Sequence, residues 1–300
     1  MGYIEQQDIG IWVNDAPNQS QKEFRQAVHT ILTSISSDAE LHASMVLKGG
    51  ILLAIRYKSD RHTKDLDLST DKKLSEDFTK DFIVKTLNNS LAITVEELPY
   101  NLACKVQSAR QNPKDSNSTY PTMELTVGYA YQGTPKHKRL LGVSGSPTVV
   151  SIDYSLNEAI PCVEEIAISH ESPDSSLKVY SLADLIAEKY RSFLQQKIRD
   201  RQRRQDIYDI NLLDENTGEF SDVEKIKILT SLIIKCKDRG LDPNKDSMDC
   251  PELKRRAIAR YPELTAEVPA ELPDFEIIFS NVQSLCKSLP WTLKDKLTDS

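Results

Sequence analysis

The segment VLKGGILLAIRYKSDRHTKDLDLST, residues 46–70, constrains this chain more than any other. It joins a Gly-Gly step (Gly49, Gly50) to an alternating carboxylate pair (Asp65, Asp67), each carboxylate followed by leucine. Glycines let backbone N–H groups come close to a phosphate. In a strand, residues two apart share a face, so Asp65 and Asp67 project together while Leu66 and Leu68 point into a core. Two carboxylates crowded on one face repel, and a cation between them relieves the repulsion. Oxygen-only ligands favour magnesium or manganese over zinc. The Gly50–Ile51 junction predicts a helix start, whose free N–H groups and dipole favour phosphate. Taken singly, a Gly-Gly step is an ordinary turn and D-x-D an ordinary exposed strand face. Together they read as a site that grips a nucleoside triphosphate and a divalent metal.

Three hundred residues accommodate two domains. A net charge of −7 argues against coating nucleic acid by bulk charge, and leaves room for a local basic groove. No apolar run approaches the length of a membrane span. The N-terminus lacks a basic stretch followed by an apolar one, so no signal peptide is expected. Gly2 invites myristoylation, but Gln6 stands where that motif wants Ser or Thr. The cysteines (Cys104, Cys162, Cys236, Cys250, Cys286) form no CxxC pair, which fits free thiols in a reducing cytoplasm and no zinc site.

Apolar spacing predicts helices at 21–45, 51–57 and 75–91, a short strand at 65–69, and β-rich runs at 92–97, 123–131 and 148–156. Turns are expected at 112–119, 133–138 and 142–147. From Ser181 the pattern is almost wholly helical: 181–197, 203–213, 222–239, 252–260 and 275–288. Ser181 with Asp184 suggests a helix cap. A domain boundary is therefore expected near residue 180, giving domains 1–180 and 181–300. The tail from Leu293 is expected to fray.

Two helical residues break their own pattern. On the 181–197 helix, Leu182, Leu185, Ile186, Tyr190 and Phe193 form an apolar arc, and Lys189 lies inside it. On the next helix, Ile207, Ile210 and Leu213 form the arc; Asp206 falls within it and Asp209 at its rim. Buried unpaired charge is costly. Lys189 and Asp206 therefore read either as an ion pair holding two helices together or as groups aimed into a polar cleft. The run QQKIRDRQRRQD carries Lys197, Arg199, Arg201, Arg203 and Arg204. It reads as a solvated helix face or as contacts to an RNA backbone.

The first motif, with Arg61 and Thr63 between glycines and carboxylates, resembles the nucleotidyltransferase signature of the DNA polymerase β-like superfamily. It is similar in particular to the AbiEii/AbiGii toxin family, whose motif runs R-x-T/S-x-D-x-D. The second motif, SLADLIAEKYRSF then RRQDIYDINLL, is similar to that family's lysine helix and its R-D-x-x-D segment. Lys189, Asp206 and Asp209 match; Gln205 stands where the family usually has arginine, with Arg204 one place earlier. The resemblance spans residues 46 to 213.

The resemblance implies an α+β fold: a polymerase β-like nucleotidyltransferase domain, a mixed sheet flanked by helices, followed by a C-terminal helical bundle completing the active-site cleft. It implies magnesium-dependent transfer of a nucleoside monophosphate from a triphosphate to an acceptor, with tRNA the leading one, and release of pyrophosphate. Asp65 and Asp67 would hold metal, with Asp153 as a third carboxylate and Glu124 its competitor. Gly49, Gly50, Arg61 and Thr63 would bind nucleotide and phosphate. Lys189 would contact the nucleotide, and Asp206 would finish the site. It further implies a cytoplasmic toxin of a toxin–antitoxin or abortive-infection phage-defence system, neutralised by a separately encoded antitoxin. Three alternatives stand beside it: an enzyme that nucleotidylates a protein or itself, with Thr63 a possible hydroxyl; a GTP- or NTP-binding module without transfer; and an interaction protein with inert motifs.

Overall fold

The computed structural model describes residues 5–114, 118–168 and 176–298. Gly2 and part of the 112–119 turn lie outside them. The elements in chain order begin with β1 (Glu5–Gln6), α1 (Ile9–Asn14), α2 (Gln19–Ser37), α3 (Ala39–Ser44), β2 (Val46–Lys48), α4 (Gly49–Tyr57) and β3 (Asp65–Ser69). They continue with α5 (Lys80–Glu97), β4 (Leu102–Asn112), β5 (Thr122–Tyr131), α6 (Pro135–Leu141), β6 (Val149–Ser155), β7 (Val163–Ala167) and β8 (Ser176–Tyr180). The remainder is helical: α7 (Leu182–Leu194), α8 (Arg204–Thr217), α9 (Asp222–Lys237), α10 (Pro251–Ile258), α11 (Phe275–Ser288) and α12 (Lys294–Thr298).

The chain divides into two compact units. The first comprises Met1–Arg56, Thr63–Glu158 and Glu164–Val179; the second comprises Tyr57–His62, Ala159–Val163 and Tyr180–Ser300. The strands form a mixed sheet ordered β1-β7-β8-β2-β3-β6-β5-β4. Strand β3 is antiparallel to β2 and parallel to β6, while β4, β5 and β6 run as an antiparallel meander. One face of the sheet is apolar: Leu66, Leu68, Ile152, Tyr154, Met123 and Leu125 are all buried. Helices α2 and α5 pack against its β4 end. The second unit packs its helices around Ile186, Tyr190, Phe193, Ile207, Ile210 and Leu213, the arcs expected from the sequence.

Several local expectations change. The 21–45 helix is two helices, broken at Asp38, whose side chain caps α3 by accepting from the N–H groups of Glu40 and Leu41. Residues 92–97 are the last turns of α5, not a strand. Their β-branched run is accommodated because Thr94 is buried and Ile93 faces out; tertiary packing overrides a weak local preference. The strand on that side is β4, which lies in a stretch too polar to announce itself. Residues 133–138 contribute the start of α6, where Thr134 accepts from the His137 N–H and Pro135 occupies the first turn. The basic run 195–203 is an irregular turn between α7 and α8 rather than a helix face. The tail continues as α12. Ser181 caps α7 as expected, its Oγ accepting from the Asp184 N–H at 3.1 Å.

Candidate active site

Two groups of chemistry-bearing residues stand out, one in each unit. In the first unit, β3 presents Asp65 and Asp67 on the polar face, with Leu66 and Leu68 fully buried opposite. The cross-strand register extends this face into a row. Lys48 on β2 is opposite Asp67, Asp67 is opposite Asp153 on β6, and Asp153 is opposite Glu124 on β5. Directly opposed residues share a face, so one cation and three carboxylates line up across four strands. Lys48 also donates from Nζ to the Ser155 hydroxyl at 3.2 Å. Glu124 accepts from the Asn112 amide at 3.0 Å.

Gly49 opens α4 with φ +71°, the left-handed region where a side chain is disfavoured. A Cβ there would stand 2.0 Å from Asp67 Oδ2. The glycine is thus required twice, for backbone conformation and for the approach of the carboxylate. At Gly50 a Cβ would meet the Thr63 side chain at 3.0 Å. Glycine step, threonine and carboxylate are therefore neighbours in space. Partial burial raises the Asp65 carboxyl above its ordinary range, opposed by Lys64. A carboxylate whose desolvation outweighs its neighbouring cation gains from a bound metal ion.

Among the described residues, no three His, Cys, Asp or Glu side chains gather into a metal-holding cluster. The fit to a divalent ion rests on an oxygen-only pair, Asp65 and Asp67, with the Asp67 carboxylate seated where a Gly49 side chain would stand. That donor set suits magnesium, which takes one or two carboxylates and completes its shell with water and substrate phosphate.

The second unit holds a buried charge network. Asp209 Oδ1 and Oδ2 accept from Arg61 Nε at 2.9 Å and Nη2 at 3.0 Å, a two-pronged pair. Asp209 Oδ2 also accepts from Lys189 Nζ at 2.6 Å. Arg61 Nη1 donates to Glu267 at 3.1 Å, and the His62 N–H donates to the Glu267 carbonyl at 2.6 Å. Arg204 reaches Glu267 at 3.3 Å and Glu263 at 3.7 Å. Asp206 is held more loosely: Lys189 and Arg203 each stand 3.8 Å away. Its Oδ2 is buried with no hydrogen-bond partner.

The lysine therefore bonds to the rim aspartate, Asp209, and not primarily to Asp206 as the helical wheel suggests. Burial alone would raise Asp209; Arg61 and Lys189 overcome it and hold the carboxyl below its ordinary range. For Asp206 burial prevails over Arg203 and Lys189, and the carboxyl is raised. Arg61 is engaged with Asp209 and Glu267. Lys48 and Glu267 are not singled out by any local sequence pattern. The only available signal for Lys48 was a lysine at the end of an apolar strand, one residue before Gly49. For Glu267, distant in sequence from its partners, there was none.

The sequence matches the family model described as nucleotidyl transferase AbiEii toxin, type IV toxin–antitoxin system, over residues 30–294. The chain belongs to the AbiEii nucleotidyltransferase toxin family. The match extends through both units, well past the motifs at 46–213. A crystal structure of a candidate nucleotidyltransferase from H. pylori is similar at 14% identity and a TM-score of 0.50, covering 94% of this chain and 98% of that one. That likeness bears on the fold, which is the α+β nucleotidyltransferase fold expected. A search of curated proteins gives no match. No helix among the described residues is long and apolar enough to cross a membrane.

Proposed function

We propose that this AbiEii-family nucleotidyltransferase transfers a nucleoside monophosphate from a nucleoside triphosphate to RNA, with tRNA the acceptor. The acceptor hydroxyl oxygen forms a bond to the α-phosphorus, the bond from that phosphorus to the bridging oxygen breaks, and pyrophosphate leaves. The hydroxyl proton passes to a carboxylate or to water. Asp65 and Asp67 hold magnesium, and Asp153, opposite Asp67 on the next strand, is the further carboxylate available. When bound, the metal supplies charge stabilisation at the phosphates and activates the attacking oxygen.

Gly49 and Gly50 admit the triphosphate to the start of α4, whose N–H groups and dipole favour it. Lys48 tempers the negative row beside them. By analogy with the family motif, Lys189 serves as a cation for the nucleotide and Asp206 as a carboxyl able to exchange a proton. Arg61 is a positioning residue that orients Asp209 and, through it, Lys189. In the cell this makes the protein a cytoplasmic toxin of a phage-defence system, held in check by its antitoxin.

The observation that carries the proposal is the fit of Asp67 against Gly49, where the glycine's open side and the carboxylate occupy one place. The test is incubation with each of the four labelled triphosphates, with and without total tRNA, and with and without chelator. Label is expected on RNA, dependent on added magnesium. Label on the protein alone would mean self-modification, and bound triphosphate without pyrophosphate release would mean a binding module.

A further inference from the structure

Charge is not spread evenly over this acidic chain. Residues 98–148 carry six Lys and Arg against two Asp and Glu, in a protein whose net charge is −7. The basic residues gather at one end of the sheet. Lys136, Lys138 and Arg139 are exposed on α6. Lys105 and Arg110 are exposed on β4, the strand at the sheet's end. Among the described residues none of these five enters an ion pair. By contrast, Arg203 and Arg204 of the 197–204 run face Asp206, Glu263 and Glu267. Arg203 and Arg204 are already countered by carboxylates of their own unit; the first set is not.

The register decides which way the basic end faces. Arg110 on β4 is opposite Glu124, which is opposite Asp153, which is opposite Asp67. Lys105 is opposite Gly128, two steps from Thr126 and four from Glu124 on the same side of β5. Lys105 and Arg110 are five apart and would point to opposite faces of a regular strand. The bulge between Val106 and Ser108 inserts Gln107 and brings both to one face. Helix α6 lies over that face too, since a Cβ on Gly128 would strike Gln107 and, at 2.8 Å, Leu140. The unpaired cations thus share a single face of one sheet with Asp65 and Asp67. Arg110 is three strands from Asp67, roughly 14 Å at the usual strand spacing. That is too far to touch the reacting phosphate and suits backbone phosphates farther along the same strand of acceptor.

We infer that α6 and the bulged strand β4 form the docking surface for the RNA acceptor, leading its backbone across the sheet face to the Asp65–Asp67 pair. The inference rests on the proposal that the acceptor is RNA. Phosphate contacts position a polyanion without reading its sequence, so this surface sets affinity and approach, and selectivity lies elsewhere.

The test measures binding of labelled total tRNA to the full-length protein by anisotropy over a range of salt, apart from any transfer. The variants are Lys136→Glu/Lys138→Glu/Arg139→Glu and, separately, Lys105→Gln/Arg110→Gln, with circular dichroism to check the fold. A third variant reverses Lys197, Arg199 and Arg201. The α6 variant is expected to bind about tenfold more weakly or worse, with the salt slope reduced by about one for each phosphate no longer neutralised. The milder β4 variant should move the same way by a smaller amount, and it decides the matter should the α6 variant not fold. Unchanged affinity in folded α6 and β4 variants, or weakening confined to the 197–201 variant, overturns the inference while leaving RNA as acceptor. A wild-type protein that neither binds nor labels RNA overturns the acceptor proposal itself. Polyglutamate held at this surface, with RNA binding untouched by the variants, would assign it to an acidic protein partner instead.

Discussion

The molecule carries two aspartate pairs that look alike in sequence and behave oppositely. Asp65 and Asp67 stand two apart on a strand, on the polar face of a sheet, with Asp65 exposed and Asp153 opposite Asp67. Asp206 and Asp209 stand three apart on a helix, buried, among Lys189, Arg61 and Arg203. The strand pair gathers negative charge where solvent and substrate can reach it. The helix pair sits among cations its own unit provides. Within the helix pair there is a second division: Asp209 is saturated by three hydrogen bonds, while Asp206 keeps a buried oxygen without one. Burial alone therefore does not mark a catalytic acid; the balance of partners around it does.

The sharpest way to break this comparison is to remove one carboxylate from each pair. Asp67→Asn should reduce nucleotide transfer by about three orders of magnitude, the several kcal/mol that metal-borne charge stabilisation supplies, and leave the thermal midpoint nearly unchanged. Asp209→Ala should instead destabilise the fold by about 3–5 kcal/mol, because it strands Arg61 and Lys189 in the interior. Thermal melts run beside transfer assays separate the two; an Asp209→Ala protein as stable as wild type would refute the structural role of that carboxylate.

A smaller effect distinguishes the two glycines. Gly49→Ala places a methyl on Asp67 and strains the left-handed backbone by about 1–2 kcal/mol, so transfer should fall by about a hundredfold or more. Gly50→Ala meets only the Thr63 side chain, which can move, and should cost far less activity. Equal losses would mean that the Gly49–Asp67 contact is not what matters.

The least effect on stability is expected from Asp206→Asn, read through pH. Because the folded carboxyl is raised above its unfolded value near 3.8, ionised Asp206 opposes folding at neutral pH. That cost is relieved as pH falls through the folded value toward the unfolded one. For Asp209 the sign is reversed: its depressed carboxyl stabilises the fold above the unfolded value, and the contribution is lost as pH falls through the folded value. Asp206→Asn should therefore leave the fold as stable as wild type or slightly more so at neutral pH, with the advantage shrinking toward pH 4. Chemical denaturation at several pH values measures this, and a loss of stability at neutral pH would sink it.

The features legible in the sequence were those with a local period. Alternation put Asp65 and Asp67 on one face, and the helical wheel placed Lys189 and Asp206 among apolar neighbours. Features that depend on pairing across long stretches were not legible. Strand β4 leaves little local signal because an edge strand with one exposed face has too few apolar residues to stand out, and residues 92–97 are helical despite their β-branching because the packing of α5 is the stronger force.

By itself the sequence determined the chemistry on offer: a glycine step, a strand pair of carboxylates, and two ionisable residues out of place on their helices. Those follow from side-chain periodicity, which is fixed by backbone geometry. Only the tertiary structure decided the partners. Asp206 and Asp209 lie within one helical turn, so a wheel cannot say which one Lys189 will bond, nor that Arg61 and Glu267 will close around Asp209. Likewise, one extra residue at Gln107 turns Lys105 and Arg110 toward the same face, a consequence of register that no local pattern records.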